Sequence, residues 1–356
     1  MYKKIILLFI VITLIPTIVI SDNSKNDRVV AEIIEITKTK GEDNNNNILK
    51  VKILEGKYKN KLTYIKYERI VSSSFDFDLS VGDKILIDIS VDENTRGKTT
   101  FINVWRLSHI KVLGIIFLVV LIIFGRLKGL LSLTSLLFSG FIIIKCLIPL
   151  IIKGYNPIVV SIVCSSIIII VSFILIAGFT KKSLVAVLGT LGGTFSAGII
   201  SYIYSKLCII TGLADENVMF LVTNLGIEID FRGLYMGAVI VGTIGVVMDV
   251  SMSITSVIFE IKKKNPQIRG KELFQSGLTV GKDVMATMVN TLVLAYVGSF
   301  MPVLISYVYS EVPMKYALNT ELISVEIIRS LCGSIGLILT IPLTCIFAVS
   351  SVLKKK

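Results

Sequence analysis

Apolar runs of roughly 20 residues, the length a helix needs to cross a bilayer, recur along this chain and restrict its fold more than any other feature. Away from water every backbone N–H and C=O has to be bonded within its own segment, so such runs read as transmembrane helices. About eight can be counted: residues 5–20, then 107–125, 130–152, 157–179, 183–210, 233–259, 284–307 and 324–353. Composition agrees. Of the 356 residues, 53% are hydrophobic and 17% charged, against roughly 45–50% and about 25% in soluble domains.

The formal net charge of +12 would suit either nucleic acid or a membrane surface, and its placement decides between them. Arg126 and Lys128, Lys181 and Lys182, Lys262 to Lys264, and Lys354 to Lys356 occupy short gaps between apolar runs or the chain end. That is the pattern of cytoplasmic loops. Membrane lipids are therefore the expected partners and nucleic acid is not. With the amino terminus inside, the basic gaps all fall inside, and both termini are cytoplasmic if the first run is retained. Lys3 and Lys4 precede that run, which fits an uncleaved anchor better than a secretory signal peptide, because no small-x-small cleavage site follows cleanly.

The chain thus divides into a membrane anchor or signal segment (1–21), an extracytoplasmic β domain (22–108) and a multi-pass transmembrane domain (109–356). In the second part, 29–36, 48–53, 62–67 and 84–91 are rich in β-branched residues and separated by turn signals. Asn44 to Asn47 suit a hairpin loop, and Val81-Gly82-Asp83 a turn feeding a strand. A small barrel or sandwich, OB-like in the sharper reading, is expected there, serving as a spacer or as a lid that captures a ligand. Within 261–282, Lys-rich and carrying Pro266, the near-helical spacing of Leu273, Phe274 and Leu278 suggests an amphipathic helix on the inner surface.

Charged side chains deep in a span cost about 2.5–3.5 kcal/mol on insertion scales and tend to face a bundle interior or a wet cavity. Asp249 falls near the middle of the run 233–259, and Ser253, Ser256 and Glu260 follow at i+4, i+7 and i+11 on the same helical face. The next run offers Asp283, Thr287, Asn290 and Thr291 at similar spacing. These stripes are candidates for proton or ion coupling, with Asp249 the group that loads and releases a proton; the plainer reading is hydrogen-bonded glue between helices. Lys145 and the i, i+3 pair Glu326 and Arg329 lie near span ends and read as structural. The glycines at 189, 192, 193, 237, 242, 245, 333 and 336 permit close helix approach.

Five cysteines lie in apolar runs without a CxxC pair, and His109 is the single histidine, so neither a metal site nor a bound cofactor is expected. No Walker spacing, HExxH or paired intramembrane Asp set is present, and enzymatic activity is not expected.

Gly242 to Ser256 (GTIGVVMDVSMSITS) with Glu260, and Gly281 to Gly298 (GKDVMATMVNTLVLAYVG), resemble the YibE/F family of bacterial membrane proteins, as do Gly125 to Gly129 (GRLKG), Gly154 to Pro157 (GYNP) and Gly333 to Gly336 (GSIG) with Pro342. The resemblance runs from about Gly125 to the end. It implies a multi-pass membrane protein and brings no substrate. Lys282 stands where the family usually has Arg, which keeps the charge. The order of features is also similar to that of SecD/SecF and RND-type proton-driven exporters, as a pattern analogy. The expected role is a proton-coupled transporter or export-assisting permease acting on a small solute or peptide. The alternative is a membrane scaffold whose external domain binds a partner membrane protein or whose chain forms a homo-oligomer.

Overall fold

A computed structural model describes residues 27–38, 46–68, 77–92 and 95–353. The first apolar run, 5–20, lies outside the described residues. The rest divides into two compact units between Arg126 and Leu127.

The first unit is built on five strands: β1 (Asp27–Lys38), β2 (Asn46–Ile53), β3 (Leu62–Glu68), β4 (Lys84–Asp92) and β5 (Thr95–Val104). They form one antiparallel sheet in the order β3-β2-β1-β4-β5. Alternating side chains supply most of its core: Val29, Ala31 and Ile33 on β1, Leu49, Val51 and Ile53 on β2, and Ile85, Ile87 and Ile89 on β4 are all buried, with Val30 buried beside them. The two outer strands, β3 and β5, approach each other, with the Thr63 and Thr99 hydroxyls 3.3 Å apart and the Tyr67 and Phe101 rings packed edge to face at 4.9 Å. The sheet thus curls so that its two edge strands face each other. Four of the strands are the expected ones; β5 was not expected, since Gly97 and Lys98 interrupt its β-branched pattern. Gly82, with φ 98°, makes the expected turn into β4. Asn46 and Asn47 begin β2 instead of sitting in a loop, while Asn44 and Asn45 lie outside the described residues.

Ten helices follow: α1 (Leu107–Ile142), which runs through a π-helical turn (Ile143–Leu147) into α2 (Ile148–Ile152), then α3 (Pro157–Ala177), α4 (Lys181–Leu207), α5 (Glu216–Thr223), α6 (Phe231–Lys264), α7 (Gly270–Ser299), α8 (Met301–Tyr309), α9 (Met314–Asn319) and α10 (Glu321–Leu353). Among the described residues six helical stretches are long and apolar enough to cross a membrane. The expected count of eight changes for two reasons. The run 5–20 is not described, and the runs 107–125 and 130–152 join into one 46-residue stretch. A straight helix of that length would measure about 69 Å, against about 30 Å of hydrocarbon. Arg126, at φ 47° and ψ −130° inside GRLKG, breaks it into two lengths that fit.

Local chemistry explains the other boundaries. Pro149 has no N–H for the carbonyl of Lys145, so the helix widens and Ile148 N–H donates to Ile143 O. In GYNP, Gly154 turns the chain at φ 86°, Asn156 Oδ1 accepts from Ile158 N and Val159 N at 3.0 and 3.3 Å, and Pro157 takes the first helical position. The connector 261–282 is not a separate surface helix: its first residues complete α6, and from Gly270 it is the start of α7, where Leu273, Gly277 and Gly281 are buried.

Helices α4, α6 and α10 form the centre of the second unit, with α3 and α7 against their flanks. Small residues set the α4–α10 contact. A Cβ at Gly193 would run into Thr340 Oγ1 and come within 3.0 Å of Gly336 O, and one at Gly336 would strike Ala197. One turn away a Cβ at Gly189 would overlap Thr344 Oγ1 and come within 2.7 Å of Ser251 Oγ. There three helices are tied together: Ser251 of α6 donates to Ala186 O of α4 at 2.8 Å and accepts from Thr344 of α10 at 3.2 Å. We predict that Gly193→Val lowers the thermal unfolding midpoint in detergent, by about 1–3 kcal/mol of overpacking. Gly245→Ala, with nothing within 4 Å of the new Cβ, leaves the midpoint unchanged or raises it; equal losses would contradict the seam.

Candidate functional site

Helix α6 leaves most of the face opposite this seam uncovered. Its buried residues, among them Thr243, Val247, Val250, Ser251 and Ile254, point at α4 and α10, while Ala238, Gly242, Gly245, Asp249, Ser253 and Glu260 are all exposed. Steps of three, four and seven along a helix return to one side, so these residues make a single strip down the helix. Ser256 is half-buried on the same side and donates to Met252 O at 2.6 Å. The carboxylate of Asp249 thus stands mid-helix on an exposed strip whose members toward Phe231 are alanine and glycine.

On α7 the covered residues are Leu273, Gly277, Gly281 and Leu292, and Asp283, Thr287, Asn290 and Thr291 lie on the exposed part of its surface. Thr287 and Thr291 are satisfied within the helix, by Val284 O at 2.9 Å and Thr287 O at 3.0 Å. The two helices meet where Gly277 and Gly281 admit Ile258 and Ile254. That packing puts Asp249 at about the level of Thr287, yet among the described residues no hydrogen bond joins the two polar stripes. The stripes exist as the spacing suggested, and they do not interlock within one chain.

At the Phe231 end of the α6 strip lies a charged corner. Arg329 Nη1 and Glu326 Oε1 of α10 form an ion pair at 2.8 Å with both side chains largely covered. The guanidinium also sits 5.3 Å from the ring centre of Tyr235 and 5.9 Å from that of Tyr296, within cation–π range. Tyr235 donates to Val325 O at 2.5 Å, and the Tyr296 hydroxyl lies over Gly242, 2.8 Å from where a Cβ would be. A cavity of about 400 Å³ opens here, lined by Tyr235, Ala238, Ser299, Phe300, Glu326 and Arg329 among others. Ala238 belongs both to this cavity and to the Asp249 strip, about 16 Å from Asp249 along the helix axis.

The loop between α4 and α6 closes over that corner because α10 holds it. Glu321 accepts from Thr211 N and Gly212 N, both at 2.7 Å, and from the Thr211 hydroxyl at 2.9 Å, while Arg232 Nε donates to Ile210 O at 2.7 Å. The i, i+3 spacing of Glu326 and Arg329 announced their pairing. The two tyrosines and the Glu321 clamp gave no sequence signal, since each comes from a helix or loop distant in the chain.

A family model described as YibE/F-like protein matches residues 113–354. The chain belongs to the YibE/F-like family. The match spans both polar stripes, the charged corner and the α4–α10 seam, and leaves the β unit outside. Neither a curated protein nor a solved structure matches the chain. Several motifs of the YibE/F-like region have a structural reading: GRLKG marks the helix break, GYNP caps α3, and GSIG lies in the α10 seam.

The ion pair in the YibE/F-like chain is expected to be an energetic unit. A double-mutant cycle of Glu326→Gln and Arg329→Gln, read by unfolding in detergent, should give a favourable coupling of about 0.5–3 kcal/mol; additive losses would show that the two charges do not depend on each other.

Proposed function

We propose that this membrane protein is a proton-coupled permease in which Asp249 is the coupling group and the uncovered α6 face is part of the path. The observation that carries this reading is the continuity of that face. It leads from the cavity at Glu326 and Arg329, past Ala238, Gly242 and Gly245, to the mid-helix carboxylate, and on through Ser253 and Ser256 to Glu260. A charged carboxylate pressed against lipid costs about 2.5–3.5 kcal/mol, and a protonated one avoids that cost. Gain or loss of one proton therefore changes what this face of α6 can pack against, which is the element a coupled transporter needs. The Lys-rich helix ends are assigned to the cytoplasm and the β unit to the outside by the positive-inside rule. The SecD/SecF and RND-type exporters supply an analogous order of features, as analogy only.

A second reading, a non-transporting scaffold, is favoured by the exposed Asp283, Thr287, Asn290 and Thr291 of α7, which a partner membrane protein or a second copy would cover. Flux separates the two. In liposomes with an imposed pH gradient and a panel of candidate solutes, the wild-type protein should show solute-dependent proton movement by dye quenching. Asp249→Asn should abolish it at unchanged membrane abundance, and Gly245→Leu, placing a bulky side chain on that face of α6, should reduce it at least about tenfold, the scale of a 1.4 kcal/mol change in barrier. Retained flux in Asp249→Asn rejects the coupling role. Folded wild type without flux under any solute supports the scaffold, for which deletion of residues 22–108 should abolish partner capture.

A further inference from the structure

The Lys-rich end of the helical unit holds a second cavity, of about 650 Å³, whose lining includes Lys181, Lys262, Lys263, Phe259, Val352 and Leu353. Three helix ends meet there: the first turn of α4, the last turns of α6 and the end of α10. No carboxylate lines the cavity. Among the described residues no carboxylate lies within ion-pair distance of Lys181, Lys262 or Lys263, so the described residues do not neutralise these three ammonium groups.

One of them is held in place. Lys262 Nζ donates to Pro266 O at 2.7 Å and to Ile268 O at 3.4 Å, carbonyls of the turn between α6 and α7. Such contacts orient the ammonium without cancelling its charge. Lys181 opens α4, whose N-terminal end carries the positive pole of the helix dipole. Phe259, Val352 and Leu353 make an apolar wall beside the charges. The sequence continues directly into Lys354, Lys355 and Lys356. A concentration of positive charge against an apolar wall, at the end of membrane-crossing helices, fits an amphiphile with an anionic head better than it fits a free ion.

We infer that this cavity binds the phosphate-bearing headgroup of an anionic phospholipid, whose acyl chains lie against Phe259, Val352 and Leu353. The site is separate from Asp249 and does not depend on transport.

The test measures binding of phosphatidylglycerol and phosphatidylcholine to the detergent-solubilised full chain by native mass spectrometry, with inorganic phosphate as a third probe. Wild type should prefer phosphatidylglycerol. The triple variant Lys181→Gln, Lys262→Gln, Lys263→Gln should lose on the order of a hundredfold in affinity, since each Lys near a membrane surface contributes about fivefold. A control with Lys128→Gln and Lys271→Gln should bind as wild type does. Because Lys262 also holds a turn, Lys263→Gln alone, at an exposed position, should show about a fivefold loss with an unchanged unfolding midpoint. Wild-type affinity in both lysine variants, or an equal loss in the control, overturns the site; displacement of the lipid by inorganic phosphate reassigns it to a free anion and overturns the lipid assignment.

Discussion

Close approach between α4 and α10 is the constraint on which the rest of the helical unit depends. In lipid the hydrophobic effect no longer drives helices together, so association rests on van der Waals packing and interhelical hydrogen bonds. Gly189, Gly193 and Ala197 on one helix meet Gly336, Thr340 and Thr344 on the other so tightly that several positions have no room for a Cβ. The same tightness brings Thr344 within reach of Ser251, and Ser251 within reach of Ala186 O. That hydrogen-bonded node fixes the rotation of α6 about its own axis. With one side of α6 committed to the seam, the opposite side, with Gly245 and Asp249, is left uncovered.

The two halves of that uncovered strip differ in kind. Toward Phe231 it ends in a corner where a guanidinium, a carboxylate and two tyrosines share one small cavity, under a loop clamped by Glu321. Toward Lys264 it continues as serines and Glu260. Between the corner and Asp249 the strip carries short side chains only. A mid-helix carboxylate in this position is not interhelical glue within the single chain, because among the described residues it has no hydrogen-bonded neighbour on another helix. Ser251, two residues later in sequence, is such glue, and it faces the other way.

The glycines show how far sequence reading reaches. Of the candidates for close contact, Gly189, Gly193, Gly333 and Gly336 do sit against neighbouring helices, as do Gly277 and Gly281, which were not singled out, whereas Gly245 meets nothing. A missing side chain has the same spelling whether it admits a helix or faces open space. The same holds for the hydroxyls: Ser251 and Ser253 are indistinguishable by composition, and one is buried in a three-helix node while the other is exposed. In the β unit, β-branched runs between turn signals marked four strands, and β5 was lost because its pairing with β4 and its nearness to β3, not its own composition, hold it in place.

What the sequence determined by itself follows from local rules. Apolar run length announces membrane-crossing helices because each must bond its own backbone; i, i+4 and i+7 spacing puts Asp249, Ser253, Ser256 and Glu260 on one face because the helical repeat is fixed; GYNP announces a helix start because its residues bond to backbone within three positions. What the tertiary structure decided is non-local: that only a break at Arg126 separates the runs 107–125 and 130–152, that the connector 261–282 belongs to two long helices, that Tyr235 and Tyr296 flank Arg329, and which face of α6 is covered. Helical periodicity gives each residue a direction around its own axis, and only the neighbours that the glycine seam admits decide what lies in that direction.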